Sequence, residues 1–306
     1  MLERVQINNK SIKNKLYHIS MDDIPKNTFI IISQHAKEIQ FQPWISGLQL
    51  RSNARKSCQE YLEILRYLSL AFKKTPIKDF CEVVPLAGAL YYHLSESFSD
   101  VFKQPLNRAF LGAKRRQLHN GDWIADISYK NFEAMSKRPF ILIGDTIATG
   151  QTLISTFESI KDAVEPENIR GISIFSIASA IPGARIIKEI YDQFPVEELY
   201  FFCTNALFGL EENGTDMPWL NPDSIFPETL EKDVAHFYGS KLGKKWCTIW
   251  DWGKRSNNPL NHLLELEERA KREATEITDD SKTTKIIERI LNNIKEEKMK
   301  LEKTLN

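Results

Sequence analysis

Short apolar runs that end at small polar turns, each followed by helical spacing, recur through the middle of the chain. Residues 140–143 form one such run, which ends at Gly144-Asp145 and precedes apolar residues at helical spacing over residues 153–160. An apolar run between chain breakers is typical of a buried strand, and the spacing after it predicts a helix. Similar strand patterns lie at residues 81–86, 108–111, 169–177 and 198–204. This alternation predicts an α/β fold with a doubly wound, mostly parallel sheet.

The two ends of the chain have a different pattern from the middle. We interpret residues 1–50 as an N-terminal extension, in which the run 29–32 fits a strand or a short buried helix. The body then covers residues 51–258 and begins with an amphipathic helix at 52–73. Residues 259–306 are rich in Leu, Glu, Lys and Arg and predict a helical C-terminal tail of two helices. Docking of this tail on its own body and pairing in a dimer both fit the pattern.

The turn after residues 140–143 has the chemistry of an anion site. Ala, Thr and Gly residues leave backbone N–H groups uncovered at the start of the following helix, where the helix dipole favours negative charge. The hydroxyls of Thr149 and Thr152 add possible donors to a phosphate. Asp145 follows the strand directly, at the sheet edge where ligands bind in open α/β proteins.

Residues 140–152 resemble the phosphoribosyl-diphosphate (PRPP) loop of type I phosphoribosyltransferases, in which an apolar strand and two acidic positions precede a turn A-T-G-x-T. The chain has neither the Gly-Lys-Ser/Thr of a Walker loop nor a GxGxxG fingerprint here. An ordinary strand-to-helix turn is the alternative. The resemblance implies that Asp145 accepts hydrogen bonds from the ribose hydroxyls of PRPP. It also implies that the turn binds PRPP through Ala148, Thr149, Gly150, Gln151 and Thr152. The last four of these residues would hold its 5-phosphate.

Two upstream segments extend the resemblance towards the uracil phosphoribosyltransferases. In that family a turn L-R-A-G-L holds the diphosphate; here Ala87-Gly88 matches it, but Leu86 stands in place of the arginine. The basic hairpin of residues 112–129 resembles the family's catalytic arm, which implies that Arg115 closes over the diphosphate. A structural turn and a solvated basic loop are the alternatives. Arg115 and Asp145 are thus the predicted catalytic residues.

Two downstream segments resemble the base pocket of the same enzymes. Gly209 lies in a segment similar to D-E-G-L-N-x-x-G, although Leu207-Phe208 replaces the acidic pair. The later stretch keeps the spacing D-x-G-x-R, with a tryptophan that reshapes the pocket or stacks on a ring. The resemblance implies that the base is bound by Gly209, Trp250, Asp251, Trp252, Gly253 and Arg255. Between the two segments, residues 215–245 form an insertion without a counterpart, and its prolines and aromatic residues predict an ordered structure.

The resemblance implies transfer of the phosphoribosyl group of PRPP to a uracil-like base with release of diphosphate. It also implies Mg²⁺ bound mainly through the diphosphate, with no direct metal ligand from the protein, and a homodimer or higher homo-oligomer. Gly144 occupies the first acidic position and Leu86 replaces an arginine, so a second hypothesis is a degenerate relative that binds PRPP or a nucleotide as a sensor. A third is an α/β protein without a phosphoribosyl ligand.

Composition narrows the setting. The 41 Lys and Arg residues balance the 41 Asp and Glu residues, which argues against nucleic acid as a partner. No apolar run reaches the length of a membrane span, and the first residues lack the apolar core of a signal peptide. The four cysteines are far apart and form no CxxC pair. We therefore expect neither a zinc knuckle nor a disulfide framework, and a cytoplasmic location.

Overall fold

One nine-stranded sheet organises the protein. The computed structural model describes residues 1–7, 15–117, 123–194, 196–247, 252–276 and 281–305, with the backbone alone at 114–117, 123–125 and 304–305. The strands are β1 (Leu2–Arg4), β2 (Leu16–Ile19), β3 (Thr28–Ile31), β4 (Phe80–Leu86), β5 (Asn107–Gln117), β6 (Trp123–Asn131), β7 (Phe140–Gly144), β8 (Gly171–Ser176) and β9 (Leu199–Thr204).

The sheet order is β1-β2-β3-β9-β8-β7-β4-β5-β6. The six strands from β3 to β5 in this order run parallel, while β1, β2 and β6 pair antiparallel at the two edges. After β4 the chain first adds β5 on one side and then β7, β8 and β9 on the other. The order therefore reverses between β4 and β7, and the carboxyl ends of strands at such a switch point form a crevice for ligands.

Helices cover both faces of the sheet, which confirms the predicted α/β fold. In chain order they are α1 (Gln34–Phe41), α2 (Gly47–Leu68), α3 (Leu70–Lys74), α4 (Leu94–Phe102), α5 (Gln151–Ala163), α6 (Ile181–Asp192), α7 (Glu228–Phe237), α8 (Gly239–Gly243), α9 (Trp252–Asn257), α10 (Pro259–Glu276) and α11 (Ser281–Leu305). One apolar core lies under α5 and α6, and a larger one lies under α1, α2 and α4 on the opposite face.

The strands β1, β2 and β3 of the predicted N-terminal extension join the main sheet. The ambiguous run 29–32 is a strand, since β3 pairs in parallel with β9 and aligns Phe29 with Phe202. The amphipathic helix predicted at 52–73 starts earlier, at Gly47, and ends at Leu68 because the backbone of Ser69 is extended. Ser69 caps the next helix, α3, since its hydroxyl accepts a hydrogen bond from the Phe72 amide at 2.9 Å. The division at residues 50 and 258 stays a prediction.

The C-terminal helices dock on the body of the same chain. Ile287, Ile290 and Ile294 of α11 and Leu266 of α10 are buried in the larger core. The insertion of residues 215–245 is ordered, as predicted, and carries α7 and α8. Its buried Trp219 packs against Phe41 of α1 with tilted rings, whose centroids are 4.5 Å apart. The insertion and the tail therefore form one layer against α1 and the sheet.

Two further features of the described residues concern membrane spans and cysteines. Within that part of the chain, no helix is both long and apolar enough to cross a membrane. All four cysteines are buried as free thiols, Cys58, Cys81, Cys203 and Cys247.

Candidate functional site

A cavity of about 600 Å³ opens at the switch point of the sheet. This volume lies in the range of pockets that hold small molecules. One side, the sheet wall, consists of Pro85, Leu86, Ala87, Gly88, Ala113, Asp145, Thr146, Ala148 and Thr152. The other side, the hood wall, consists of Thr215, Asp216, Met217, Trp252 and Gly253. The cavity thus lies between strand ends and the layer formed by the insertion and the tail.

The turn between β7 and α5 supplies half of the sheet wall. The Asp145 carboxylate accepts a hydrogen bond from the Thr146 amide at 2.8 Å, which fixes its direction at the strand end. Gly150 has φ of 81° and a Cβ there would lie 2.8 Å from that of Ile186, so both conformation and space require glycine. The helix α5 begins after this glycine, and the Gly150 carbonyl accepts from the amides of Leu153 at 2.9 Å and Ile154 at 3.3 Å, so the hydrogen bonds of the helix start two residues after its first residue.

The end of β4 lies directly beside this turn, on the same wall of the cavity. A Cβ on Gly88 would lie 3.6 Å from Oδ1 of Asp145, so the carboxylate approaches the backbone of the β4 turn. The peptide bond between Leu86 and Ala87 is cis. Ala87 is exposed and Gly88 is half-buried. The two segments that resemble the diphosphate and ribose loops are therefore brought together, as the resemblance requires.

Tyr92 occupies the space beside Gly144, where the family has its first acid. A Cβ on Gly144 would lie 3.2 Å from the tyrosine ring. The Tyr92 hydroxyl is 3.0 Å from the Thr146 hydroxyl and accepts from the Ile177 amide at 3.1 Å. Burial raises the pKa of Tyr92 and the nearby Asp145 raises it further, so the hydroxyl stays protonated. An aromatic wedge thus replaces a carboxylate.

Two distant segments form the hood wall. Trp252 is 6% exposed and packs against Tyr92 with ring centroids 5.5 Å apart. Asp216 and the buried Met217 come from the start of the insertion. An isolated antiparallel β-bridge between Pro218 and Cys247 joins the two ends of the insertion. Tyr92 touches both walls and links the position of Trp252 to that of Thr146.

Arg255 has a different role from the predicted contact with a base. Its side chain is fully buried, and its guanidinium donates to the carbonyl oxygens of Ile45 at 2.7 Å, Gln42 at 2.7 Å and Ile39 at 3.0 Å. These carbonyls lie in and just after the last turn of α1, where helix acceptors lack partners. Burial lowers the pKa of Arg255 to about 9. Its role is to hold α9, and with it Trp252, against α1.

Gly209 also lies away from the cavity. Its amide donates to the Ser224 hydroxyl at 2.9 Å, and a Cβ on it would clash with Oδ1 of Asn221. The Asn221 side chain therefore covers the glycine, which corrects its predicted contact with the base. Trp250 and Asp251 lie outside the described residues, as does the side chain of Arg115 on β5.

The remaining predicted residues divide into two groups. Those that line the cavity are Ala87, Gly88, Asp145, Ala148, Thr152, Trp252 and Gly253. Thr149, Gly150 and Gln151 belong to the same turn but are not among the lining residues. Their contacts with PRPP stay a prediction.

Sequence reasoning missed the residues that the insertion contributes. Asp216 and Met217 follow Gly214 and precede Pro218, in a segment without a family counterpart. The sequence offers one weak signal, which is a carboxylate followed by an apolar residue in a short, glycine- and proline-bounded turn. That pattern is common in surface turns and does not point to a cavity.

The described part of the lining is acidic. Its ionisable side chains are Asp145 on the sheet wall and Asp216 on the hood wall, and no Lys or Arg is among the described lining residues. Leu86 lies where the uracil enzymes carry an arginine. No cluster of three His, Cys, Asp or Glu side chains suited to a metal occurs in the described residues. An anionic ligand here needs a cation that it brings with it or that comes from the hairpin arm.

Comparisons with known proteins give structural neighbours only. No protein-family model and no curated protein sequence matches the chain. Among solved structures, hypoxanthine-guanine phosphoribosyltransferase from L. donovani is 14% identical, with 56% of this chain and 88% of that chain covered and a TM-score of 0.33. Adenine phosphoribosyltransferase from Trypanosoma brucei is 11% identical over 71% and 99%, with a TM-score of 0.34.

A hypothetical protein from Neisseria gonorrhoeae with bound ppGpp is 8% identical over 53% of this chain and 86% of that chain, with a TM-score of 0.30. At these identities and scores, the comparisons assign neither a family nor an activity to this chain.

Proposed function

We propose that the protein is a phosphoribosyltransferase, which transfers the phosphoribosyl group of PRPP to a nitrogenous base and releases diphosphate. One observation carries the proposal. The two segments that resemble the PRPP loops of type I enzymes, 140–152 and 86–88, open into one cavity at the switch point of the sheet, with the Asp145 carboxylate between them. An unrelated strand-to-helix turn gives no reason for this convergence.

The proposed binding mode assigns a part of PRPP to each wall. The amides and hydroxyls at residues 148–152 hold the 5-phosphate at the N-terminus of α5. Asp145, which is directed by the Thr146 amide at 2.8 Å, accepts hydrogen bonds from the ribose hydroxyls. The diphosphate lies along Ala87 and Gly88, and the Arg115 side chain closes over it. The base lies between the hood wall and the ribose.

The proposed reaction needs no covalent intermediate with the protein. The bond from ribose C1 to the diphosphate oxygen breaks, a base nitrogen forms the new bond to C1, and the proton of that nitrogen passes to solvent. Positive charge develops on the ribose as diphosphate leaves, and the negative Asp145 beside the ribose stabilises it. Holding base and PRPP in one geometry supplies most of the remaining effect.

A divalent cation fits the acidic lining. Asp145 offers a hard carboxylate oxygen next to the proposed diphosphate position, and Mg²⁺ prefers a few carboxylates together with phosphate oxygens and water. When bound, Mg²⁺ neutralises charge on the leaving diphosphate. We propose that the ion enters with PRPP and that the protein supplies few or none of its ligands.

The same acidic lining favours a second candidate function, which is binding of PRPP or a nucleotide without turnover. Leu86 removes a cation from the diphosphate turn, and Tyr92 fills the place of an acid beside Gly144. Each missing contact to a developing charge costs on the order of 10²–10³ in rate. A sensor that binds the ribose and 5-phosphate needs neither contact.

Calorimetry followed by an activity assay separates these functions. PRPP and, separately, nucleoside monophosphates are titrated into the full chain with and without Mg²⁺, and diphosphate release from PRPP is then measured with a panel of free purines and pyrimidines. Binding with release on at least one base supports the transferase. Binding without release on any base supports the sensor. Absence of binding of both PRPP and nucleoside monophosphates, with and without Mg²⁺, would refute both.

A further inference from the structure

We propose that Asp216 selects the base. Its carboxylate accepts hydrogen bonds from the edge of the base, so the site takes a base that presents amino N–H donors there, as guanine or cytosine does. Bases that present carbonyl oxygens in the same place, such as uracil, are rejected. This inference rests on the proposed function, because it assigns the base end of the same cavity.

The position of Asp216 carries the first step. The residue lines the main cavity and also a second cavity on the outer side of the hood wall, so it lies in the partition between the two. In the outer cavity, Nη1 of Arg269 is 3.1 Å from one carboxylate oxygen of Asp216. The ion pair therefore approaches the carboxylate from the side away from the base.

The backbone around Asp216 fixes the residue in place. The Asn213 side chain accepts hydrogen bonds from the amides of Thr215 at 3.0 Å and Asp216 at 2.9 Å. The Asp216 carbonyl accepts from the Glu211 amide at 2.9 Å. Arg269 is itself held, since its second nitrogen donates to the Lys245 carbonyl at 3.0 Å. The acid thus meets a ligand in one orientation.

The chemistry of a carboxylate decides the class of base. An ionised carboxylate is an acceptor only and has about four lone-pair sites. Arg269 takes one of these sites on Asp216, and the Cys247 thiol also hydrogen-bonds this carboxylate. An N–H donor is attracted to it, whereas a carbonyl oxygen in the same place brings two acceptors together. Sites built around such a polar contact reject analogues that lack the partner group. The resemblance to uracil enzymes predicted a uracil-like base, and this inference replaces that prediction.

Trp252 and Met217 complete the selection. They line the cavity together with Asp216, and the indole of Trp252 packs against Tyr92 with ring centroids 5.5 Å apart. A flat ring between such side chains is restricted to a slot. Rotation of a base to turn a carbonyl away from Asp216 is then limited, so the edge that carries the amino group faces the carboxylate.

The test uses pairs of nucleotides that differ at this edge. GMP and IMP differ by one amino group, and CMP and UMP differ by an amino group in place of a carbonyl. We expect calorimetry on the full chain to give at least tenfold tighter binding for the amino member of at least one pair, and no reversed preference in the other. In Asp216→Asn, which adds N–H donors, the preference falls below about threefold.

Asp223→Asn is the matched control, because this exposed acid of the same insertion does not line the cavity. It should keep the wild-type preference. Equal affinities within both pairs for the wild type, or an equal loss for all nucleotides in Asp216→Asn with the preference kept, would overturn the inference. Ribose 5-phosphate separates the two levels: if it binds while the nucleotide pairs do not differ, only the inference falls. If neither it nor any nucleotide binds, the proposed function falls too.

Discussion

The two walls of the cavity are positioned by different means. The sheet wall consists of residues that directly follow β4 and β7, two parallel strands paired through Phe80–Phe140 and Cys81–Ile141. Main-chain hydrogen bonds of the sheet set its geometry. The hood wall joins a turn of the insertion to the first residues of α9. Side chains hold it in place, above all Arg255 of α9, which binds carbonyls at the end of α1, and Arg269 of α10, which binds Asp216.

In the proposed function, the sheet wall binds PRPP and the hood wall selects the base, so the two walls should respond differently to substitution. The sheet wall tolerates changes in single side chains, because a strand keeps its place through the ladder of its neighbours. The hood wall depends on few buried polar groups, and loss of one partner leaves others without hydrogen bonds. We therefore expect substitutions in the hood supports to alter both stability and base binding, and substitutions in the sheet wall to alter PRPP binding alone.

The largest expected effect comes from Arg255→Met. The change leaves the carbonyls of Ile39, Gln42 and Ile45 buried without their donor, at about 1–3 kcal/mol each. We expect urea denaturation to show a loss of at least about 3 kcal/mol in the free energy of unfolding. Nucleotide binding should fall more than ribose 5-phosphate binding.

Lys254→Met is the control for Arg255. The lysine pairs with Glu265 at 2.8 Å on the surface, and such pairs contribute less than about 1 kcal/mol. If both variants lose the same free energy, Arg255 does not support the hood wall.

A second effect concerns Glu82, a buried acid of β4 beneath the sheet wall. Burial raises the pKa of Glu82 to about 7 although Arg108 lies 2.9 Å away. Between its pKa in the unfolded chain, about 4.3, and 7, the folded protein keeps a proton that the unfolded chain releases. The stabilisation that protonated Glu82 contributes is therefore fully present below about pH 4.3, and it is lost as the pH rises through 7.

Denaturation at pH 5 and pH 8 measures this dependence. The wild type should lose up to about 3 kcal/mol over the interval, and Glu82→Gln should remove that part of the loss. The same pH slope in both proteins would contradict the assignment to Glu82. The hood wall has no comparable buried acid among the described lining residues, so base selection should not follow this slope.

Asp145→Asn tests the sheet wall alone. The amide oxygen can still accept from the Thr146 amide, so the fold is kept while the charge beside the ribose is lost. We expect PRPP affinity to fall about tenfold to hundredfold, in line with one charged hydrogen bond, with unchanged unfolding. Asp162→Asn, at an acid of α5 with a 70% exposed side chain, is the control. Unchanged PRPP affinity in Asp145→Asn would remove Asp145 from the site.

The smallest expected effect is at Gly144. Gly144→Ala brings a Cβ to 3.2 Å from the Tyr92 ring, so the ring shifts by a few tenths of an ångström and the unfolding free energy decreases by about 1 kcal/mol. Because Tyr92 contacts Trp252, base binding should weaken slightly as well. Unchanged nucleotide affinity by calorimetry in Gly144→Ala would contradict the proposed link between the walls.

Local pattern sufficed where neighbouring residues carry out one task. The strands β4 and β7, the turn at Gly150 and the position of Asp145 follow from apolar runs and glycine placement, since a sheet edge collects the residues after its strands. The pattern failed where the same residue type at the same spacing can have two different roles. Arg255 keeps the spacing of a base pocket, yet its guanidinium is used by α1 carbonyls 210 to 216 residues earlier in the chain.

The sequence by itself determined the α/β architecture and the strand-turn-helix unit of β7 and α5, because each depends on periodicity and on residues within one short segment. Only the tertiary structure decided which residues face the cavity from the other side. Trp252 belongs to a segment with a recognisable spacing, whereas Asp216 and Arg269 lie in segments without a family counterpart, and packing of the insertion and the tail brings Asp216 beside Trp252 and Arg269. Contacts between residues far apart in the chain depend on the whole core, and no local pattern records them.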